Sequence, residues 1–329
     1  MTTPRTTLPD ARTTPRFAGL CTFGRYPRLE DVAPEHRPVD WAIVGSVYDC
    51  GVTYRPGSRF GARAIREQSQ YLKPYHIDHD LMLTDVFSLA DAGDAPPDMF
   101  NAQNNAQVLS EHLRSVGDPS TRVMMLGGDH SNTLGALRAA YECAGRPEGG
   151  LALLHFDSHL DTVDLAWGEK YSHASPFIRA VEEGVIDPKR MLSVGIKGPL
   201  NTPADLDYAK KHGVEIVTYE DWRREGTARI DAFVQRLADD PCYFTFDIDC
   251  VDPVYAPGTG TPSVGGFTSA EALELLRQIG RAHPSGGPNL VGADVVEVLP
   301  DRDVAGNTAL LAAHVAYEII CLSALASRA

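Results

Sequence analysis

Short apolar runs bounded by turn residues alternate with stretches of helical period along nearly the whole chain, the pattern of a sheet built from βα units. The runs at 41–46 (WAIVGS), 122–126 (RVMML), 151–156 (LALLHF), 191–195 (MLSVG), 214–218 (VEIVT), 242–248 (CYFTFDI) and 289–295 (NLVGADV) predict strands. Most are apolar at consecutive positions, so both of their faces are covered, as at the centre of a parallel sheet. Amphipathic stretches near 60–70, 102–115, 131–143, 174–184, 203–212, 229–239, 268–280 and 306–325 fall around them. Each is long enough for a crossover helix, which predicts an α/β fold with helices on both faces of the sheet.

No repeat and no linker divides the chain of 329 residues. The Thr/Pro/Arg-rich residues 1–16 are expected to be a mobile N-terminal segment and 17–329 a single domain. With 43% hydrophobic and 22% charged residues the composition is that of a folded globular protein. A formal net charge of −14 has the wrong sign for holding phosphate backbones, so nucleic acid is excluded as a partner. No uninterrupted apolar run reaches the roughly 20 residues of a membrane span, and the start lacks the charged and apolar regions of a signal peptide. No membrane association and a cytoplasmic location are therefore expected. The cysteines at 21, 50, 143, 242, 250 and 321 form no C-x-x-C pair, which argues against a thiolate zinc site or a disulfide framework.

Ligands of open parallel sheets bind beyond the carboxyl ends of the strands, and three runs end in potential metal ligands. RVMML leads through Gly127 and Gly128 to Asp129 and His130, which opens a helix. LALLHF leads to Asp157, His159 and Asp161; strand alternation puts the first two on one side, and a turn lets Asp161 rejoin them. CYFTF leads to Asp247 and Asp249, again two residues apart. Carboxylates crowded without basic partners are costly to desolvate and repel one another, which favours a cation among them. Oxygen and imidazole donors without thiolate suit Mn²⁺ or a related ion better than structural zinc. His155 reads as a strand-interior histidine, and Asp252 as a turn cap before Pro253.

The segments GGDHS (127–131), DSHLD (157–161) and FDIDCVDP (246–253) resemble the signature segments of the ureohydrolases, the arginase and agmatinase family. The likeness extends to YRPGSRFGARAIREQS (54–69), YSHASPF (171–177), APGTGTP (256–262), DVVEVLP (294–300) and GNTALLAAHVAYEI (306–319), and is greater to the agmatinase and guanidino-acid hydrolase branch than to arginase. It implies a three-layer α/β/α fold with a mostly parallel, roughly eight-stranded sheet, assembled as a homo-oligomer, a trimer or hexamer. It also implies two Mn²⁺ ions, with Ni²⁺ as the alternative, activating a bridging hydroxide. By the same resemblance His130, Asp157, Asp161 and Asp247 hold one ion, and Asp157, His159, Asp247 and Asp249 the other. His173 corresponds to the proton shuttle and Glu297 to the carboxylate that holds the substrate guanidinium. The flanking Val296 and Val298 support a role for Glu297, since the strand otherwise buries an unpaired charge.

The implied reaction is hydrolysis of a linear guanidino compound to urea and an amine, with agmatine as first candidate. The alternatives are a guanidino acid (4-guanidinobutanoate or 3-guanidinopropanoate), guanidine itself, or a substituted guanidine or biguanide. A non-catalytic subunit and a deacetylase-like amide hydrolase are the competing classes; metal content tests the first and urea release the second. Ser158 stands where alanine is usual, Ala174-Ser175 where Gly-Thr is frequent and Cys250 where an aliphatic residue is common. These departures leave the ligand set intact and bear on pocket shape and substrate. The loop 54–61 lacks the G-K-[ST] ending of a phosphate loop and is read as structural. The loops 167–171 and 201–202 are expected to help set specificity.

Overall fold

The computed structural model describes residues 6–328; residues 1–5, part of the expected mobile segment, lie outside the described residues, as does Ala329. Of the rest of that segment, Thr6 is buried and its hydroxyl accepts a hydrogen bond from the Leu89 amide at 3.0 Å. Leu8 packs against the core.

In chain order the elements are β1 (Trp41–Gly45), α1 (Gly61–Gln68), β2 (Tyr75–His76), β3 (Leu81–Met82), α2 (Leu83–Val86), β4 (Leu89–Asp94), α3 (Ala102–Ser115), β5 (Arg122–Leu126), α4 (Asn132–Cys143) and β6 (Leu151–Phe156). They continue with α5 (Pro176–Glu182), β7 (Ile186–Ile196), α6 (Asp207–His212), β8 (Glu215–Thr218), α7 (Tyr219–Glu225), α8 (Ala228–Leu237), β9 (Cys242–Asp247), α9 (Ser269–Ala282), β10 (Leu290–Val296) and α10 (Asn307–Ala326). Eight strands form one sheet in the order β4-β1-β5-β10-β9-β6-β7-β8, and every neighbouring pair is parallel.

Two apolar layers clamp this sheet. Met124, Leu154, Phe156, Phe244 and Val295 face Ile65, Ile230, Leu275 and Ile319 from α1, α8, α9 and α10, while Met125, Leu153, Tyr243 and Val296 face Leu109, Leu137 and Phe177 from α3, α4 and α5. Successive residues of a strand thus feed opposite layers, which is why these strands have no polar face in the sequence.

All seven expected strands form, with ends shifted by a few residues; β7 starts early, at Ile186, through the polar stretch Asp187–Arg190. Five elements were not anticipated: the short β2, β3 and α2, the edge strand β4, and α7. The edge strand β4 is LADAGD, small and acidic residues with no apolar run; its Asp91 is buried because Arg66 of α1 pairs with it at 2.8 Å. α7 has no fully buried residue and only a narrow apolar stripe, Tyr219 and Trp222 against Phe267, but its start carries a capping box in which Thr218 and Asp221 satisfy each other's amides.

α10 is by length and composition apolar enough to cross a membrane, but 78% of its most apolar window is buried inside the fold, packed against α1, α9 and β10. Its Glu318 also fastens the hairpin of β2 and β3. One carboxylate oxygen is 2.9 Å from Nε2 of His76 and accepts from Arg277 Nε at 3.2 Å, and the other meets His79 Nε2.

Candidate active site

The expected ligands converge because β5, β10, β9 and β6 are the four central strands of the sheet and all end on one side of it. β5 ends in Gly127 and Gly128 with φ of 74° and 75°. A Cβ on Gly127 would come within 2.5 Å of the Ala62 amide nitrogen, so the turn that delivers Asp129 and His130 requires glycine. The chain leaves β6 and β9 immediately before and after Asp157 and Asp247 respectively, so loop geometry, not strand alternation, brings the remaining ligands together. Asp247 instead accepts the Asp249 amide at 2.8 Å and caps a short 3₁₀ turn, and Asp161 has a left-handed φ of 50°.

His130 Nδ1 lies 2.9 Å from Asp161 Oδ2, 3.1 Å from Asp157 Oδ2 and 3.4 Å from Asp247 Oδ2. His159 Nδ1 lies 3.1 Å from Asp249 Oδ2 and 3.4 Å from Asp157 Oδ1. All six are thus in one cluster, buried except for His159, whose side chain is 38% exposed and forms its open side. Burial, then the charges of Asp249 and Asp157, push Asp247 well above the usual carboxylate range; burial and Asp157 raise Asp161. Burial acts on Asp157 in the same sense, but the imidazoles of His130, His155 and His159 around it prevail and hold it well below that range.

Whether these donors fit a metal is decided at His130. Thr245 Oγ1 donates its single proton to Asp294 at 2.6 Å, so toward His130 Nε2, 2.9 Å away, it is an acceptor. That fixes the proton of a neutral ring on Nε2 and leaves a bare lone pair on Nδ1. Nδ1 is buried and makes no hydrogen bond among the described residues, although three carboxylates face it. A lone pair among anionic oxygens is repulsive unless a cation, a proton or a metal ion, sits between them, and the donor set suits a hard or borderline divalent ion. Asp157, His159 and Asp249 form a second group whose ligand atoms all lie within 4.8 Å of one another, so the residues fit two ions.

His155 lies behind the cluster as an interior residue. Its Nε2 is 2.9 Å from Asp157 Oδ2, its Nδ1 3.0 Å from Ser193 Oγ, and its ring packs on Phe177 at 4.4 Å. It is also close enough to His130 and Asp157 to complete a potential metal group.

Glu297 follows β10 with a left-handed φ of 63° and is fully buried. Its Oε1 accepts from the His130 amide at 2.9 Å and faces His173 Nδ1 at 2.9 Å; its Oε2 is buried with no partner among the described residues. That orphaned oxygen is an acceptor awaiting a donor. On the far side of the ring, Thr53 presents its amide at 3.0 Å and its hydroxyl at 2.7 Å to His173 Nε2. Burial disfavours the His173 cation, but the hydrogen bond and charge of Glu297 outweigh it and raise the group to about 9.

Asp129 was named in the sequence only as part of its turn, and Thr245 and Asp294 were not singled out at all. Asp129 accepts the Gly51 amide at 2.8 Å and is pushed up to about 7 by burial and the charge of Glu297. Asp294 accepts from Thr245, from Thr133 at 2.8 Å and from Tyr243 at 2.9 Å. Lone polar residues inside apolar strands, such as Thr245 and Asp294, were the available signal, since buried polar groups require partners. The loop 167–171, expected to bear on specificity, lines a cavity of about 470 Å³ through Trp167, Glu169 and Tyr171, together with Thr53 and Met99–Gln103.

The sequence profile described as the Arginase family matches residues 39–322. Proclavaminate amidinohydrolase of Streptomyces clavuligerus is 39% identical over 323 residues, spanning 97% of this chain and 98% of its own. A solved structure of that protein matches with a TM-score of 0.84 at 37% identity, covering 95% of this chain and 100% of that one. Guanidinopropionase of Pseudomonas aeruginosa is 38% identical, covering 96% of this chain and 95% of its own, and the mitochondrial agmatinase of Gallus gallus is 36% identical, covering 95% and 88%. With the profile matched over most of its length and relatives aligned nearly end to end, the chain belongs to the arginase family.

Proposed function

We propose that the protein is a binuclear-metal amidinohydrolase that cleaves a C–N bond of a linear guanidino compound, releasing urea and an amine, with agmatine the first candidate substrate. The observation that carries this reading is the bare Nδ1 of His130 facing three buried carboxylates, one face of a cluster with donors for two ions. His130, Asp157, Asp161 and Asp247 would hold one ion, and Asp157, His159, Asp247 and Asp249 the other, with Mn²⁺ the first candidate and Ni²⁺ the second. Such a pair would supply deprotonated water at neutral pH and neutralise the crowded carboxylates.

The remaining steps fall to the chain itself. Glu297 Oε2, buried and unpartnered, would accept a guanidinium N–H and orient the cation by a charge-assisted hydrogen bond. Once water has added to the guanidinium carbon, the leaving nitrogen needs a proton, and His173, fixed between Glu297 and Thr53, is placed to give it. The names of the relatives favour a second reading in which the tail carries a carboxylate, as in 3-guanidinopropanoate or 4-guanidinobutanoate. In either reading the protein is a cytoplasmic homo-oligomer of three or six chains, which sedimentation of the loaded protein measures.

The test is urea release by Mn²⁺-loaded and Ni²⁺-loaded protein against agmatine, arginine, guanidinoacetate, 3-guanidinopropanoate, 4-guanidinobutanoate, guanidine and dimethylbiguanide. Urea from agmatine alone upholds the first reading, and urea from a guanidino acid alone moves the assignment to the second. Two bound ions with no urea from any of them would sink both.

A further inference from the structure

One turn of the cluster is held more elaborately than its ligand role requires. Asp249 is gripped at both ends by Ser158: the Ser158 amide donates to its Oδ1 at 3.0 Å, and the Ser158 hydroxyl donates to its carbonyl oxygen at 2.8 Å. Lys197 Nζ donates to the same carbonyl at 2.8 Å and to the Ser158 hydroxyl. The Lys197 amide in turn donates to the Ser158 carbonyl at 3.0 Å. Three neighbouring strand ends, those of β9, β6 and β7, are thereby tied through two side chains.

The lysine is built in. Its stem runs over Gly266, where a Cβ would come within 2.4 Å of Lys197 Cε and 2.5 Å of the Cys250 carbonyl oxygen, so the adjoining turn has no room for a side chain. Its half-buried ammonium makes no ion pair among the described residues and ends on two uncharged oxygens. With Oδ1 taken by the Ser158 amide, Asp249 presents Oδ2 to His159 Nδ1, steadied by Thr261 Oγ1 at 3.2 Å. The hydroxyl of Ser158, the residue standing where this family usually has alanine, is the joint of this assembly.

We propose that Ser158 and Lys197 are positioning residues that fix the aim of Asp249 and so set how tightly the ion on the His159 side of the centre is held. The proposal rests on the binuclear reading above. Neither residue offers an atom to the ions; both act through the carbonyl and carboxylate of Asp249. Outer contacts of this kind tune metal affinity by roughly 10- to 100-fold.

The experiment is competition between the full-length protein and a chromophoric chelator for Mn²⁺, resolving the two affinities, on wild type, Ser158→Ala, Lys197→Met and Lys197→Arg. Melting temperatures of the metal-free forms are measured in parallel. In Ser158→Ala and Lys197→Met one affinity is expected to weaken by about 10-fold or more with the other unchanged, and Lys197→Arg, which keeps the donors, to restore most of the loss. Equal weakening of both ions, or a loss that merely tracks a lower metal-free melting temperature, overturns the proposal, as do unchanged affinities in both variants. If wild type itself fails to bind two ions, the binuclear reading fails instead, so the two failures are told apart.

Discussion

His173 Nδ1 lies 2.9 Å from Oε1 of Glu297, the same oxygen that accepts the His130 amide, so one carboxylate joins the proton-carrying imidazole to the turn that delivers a proposed metal ligand. The ring is poised between two states. When neutral, with its proton on Nδ1, it accepts the Thr53 amide at Nε2; when charged, its Nε2–H donates to the Thr53 hydroxyl oxygen.

Glu297 therefore controls the protonation of His173. In metal-free protein His173 is expected to titrate near 9 instead of its ordinary 6.5, staying charged at neutral pH and losing its proton as the pH rises through 9. In Glu297→Gln the largest favourable contribution is gone while burial and the weaker pull of Asp161 and Asp129 remain, so the titration falls clearly from 9. Histidine-resolved NMR of the metal-free protein reads this directly; a value that does not move on substitution contradicts the assignment.

Metal and proton transfer separate by mutation. Asp249→Ala is expected to lose bound metal and urea release together. His173→Ala is expected to keep both ions while turnover falls on the order of 10²-fold or more. Metal analysis of the two desalted variants beside a urea assay makes the comparison, and full activity in His173→Ala would end the proton-carrier role.

The Thr245 hydroxyl sets the tautomer of His130. Thr245→Val keeps the shape of the strand but removes the acceptor for Nε2–H and a donor to Asp294. Metal affinity is expected to fall by roughly 10- to 100-fold, as for other outer contacts of ligating histidines. Equilibrium dialysis against Mn²⁺ measures it; an unchanged affinity would mean that the tautomer is fixed by something else.

Acid should loosen the hairpin of β2 and β3. Burial raises the Glu318 carboxyl, but hydrogen bonds from His76 and His79 prevail and lower it from 4.5 to about 2. A carboxyl depressed in the folded state contributes stability that is complete above 4.5 and lost as the pH falls toward 2. A shift of that size corresponds to about 3 kcal/mol. Urea denaturation of wild type and Glu318→Gln between these limits should show the two curves converging in acid; parallel curves would refute the linkage.

Much of this was written in the chain where one property dominates locally. Almost wholly apolar runs such as LALLHF point to a buried strand, and clustered Asp and His at their ends mark the site. What escaped were relations between distant residues. Nothing beside Asp91 announces that Arg66 will neutralise it and turn LADAGD into an edge strand. Thr245 and Asp294, 49 residues apart, become a hydrogen-bonded pair only because β9 and β10 are neighbours in register. Lys197 reads as one more charged loop residue until the end of β7 lies beside that of β6. Asp157 and His159 were expected on one side by strand alternation; they do meet, but in a loop beyond the strand.

The ligand-bearing turns hang from strands whose sheet order, β5-β10-β9-β6, differs from their order in the chain. His130 meets Glu297 across 167 residues, and Ser158 meets Asp249 across 91. A cradle for the two proposed ions would thus be complete only once these long-range strand pairings have closed. Ions bound there would strengthen interactions that form late, and so would slow unfolding more than they speed folding. The proposed metal centre would thereby act as a kinetic lock on the finished sheet, its loss shortening the lifetime of the native protein.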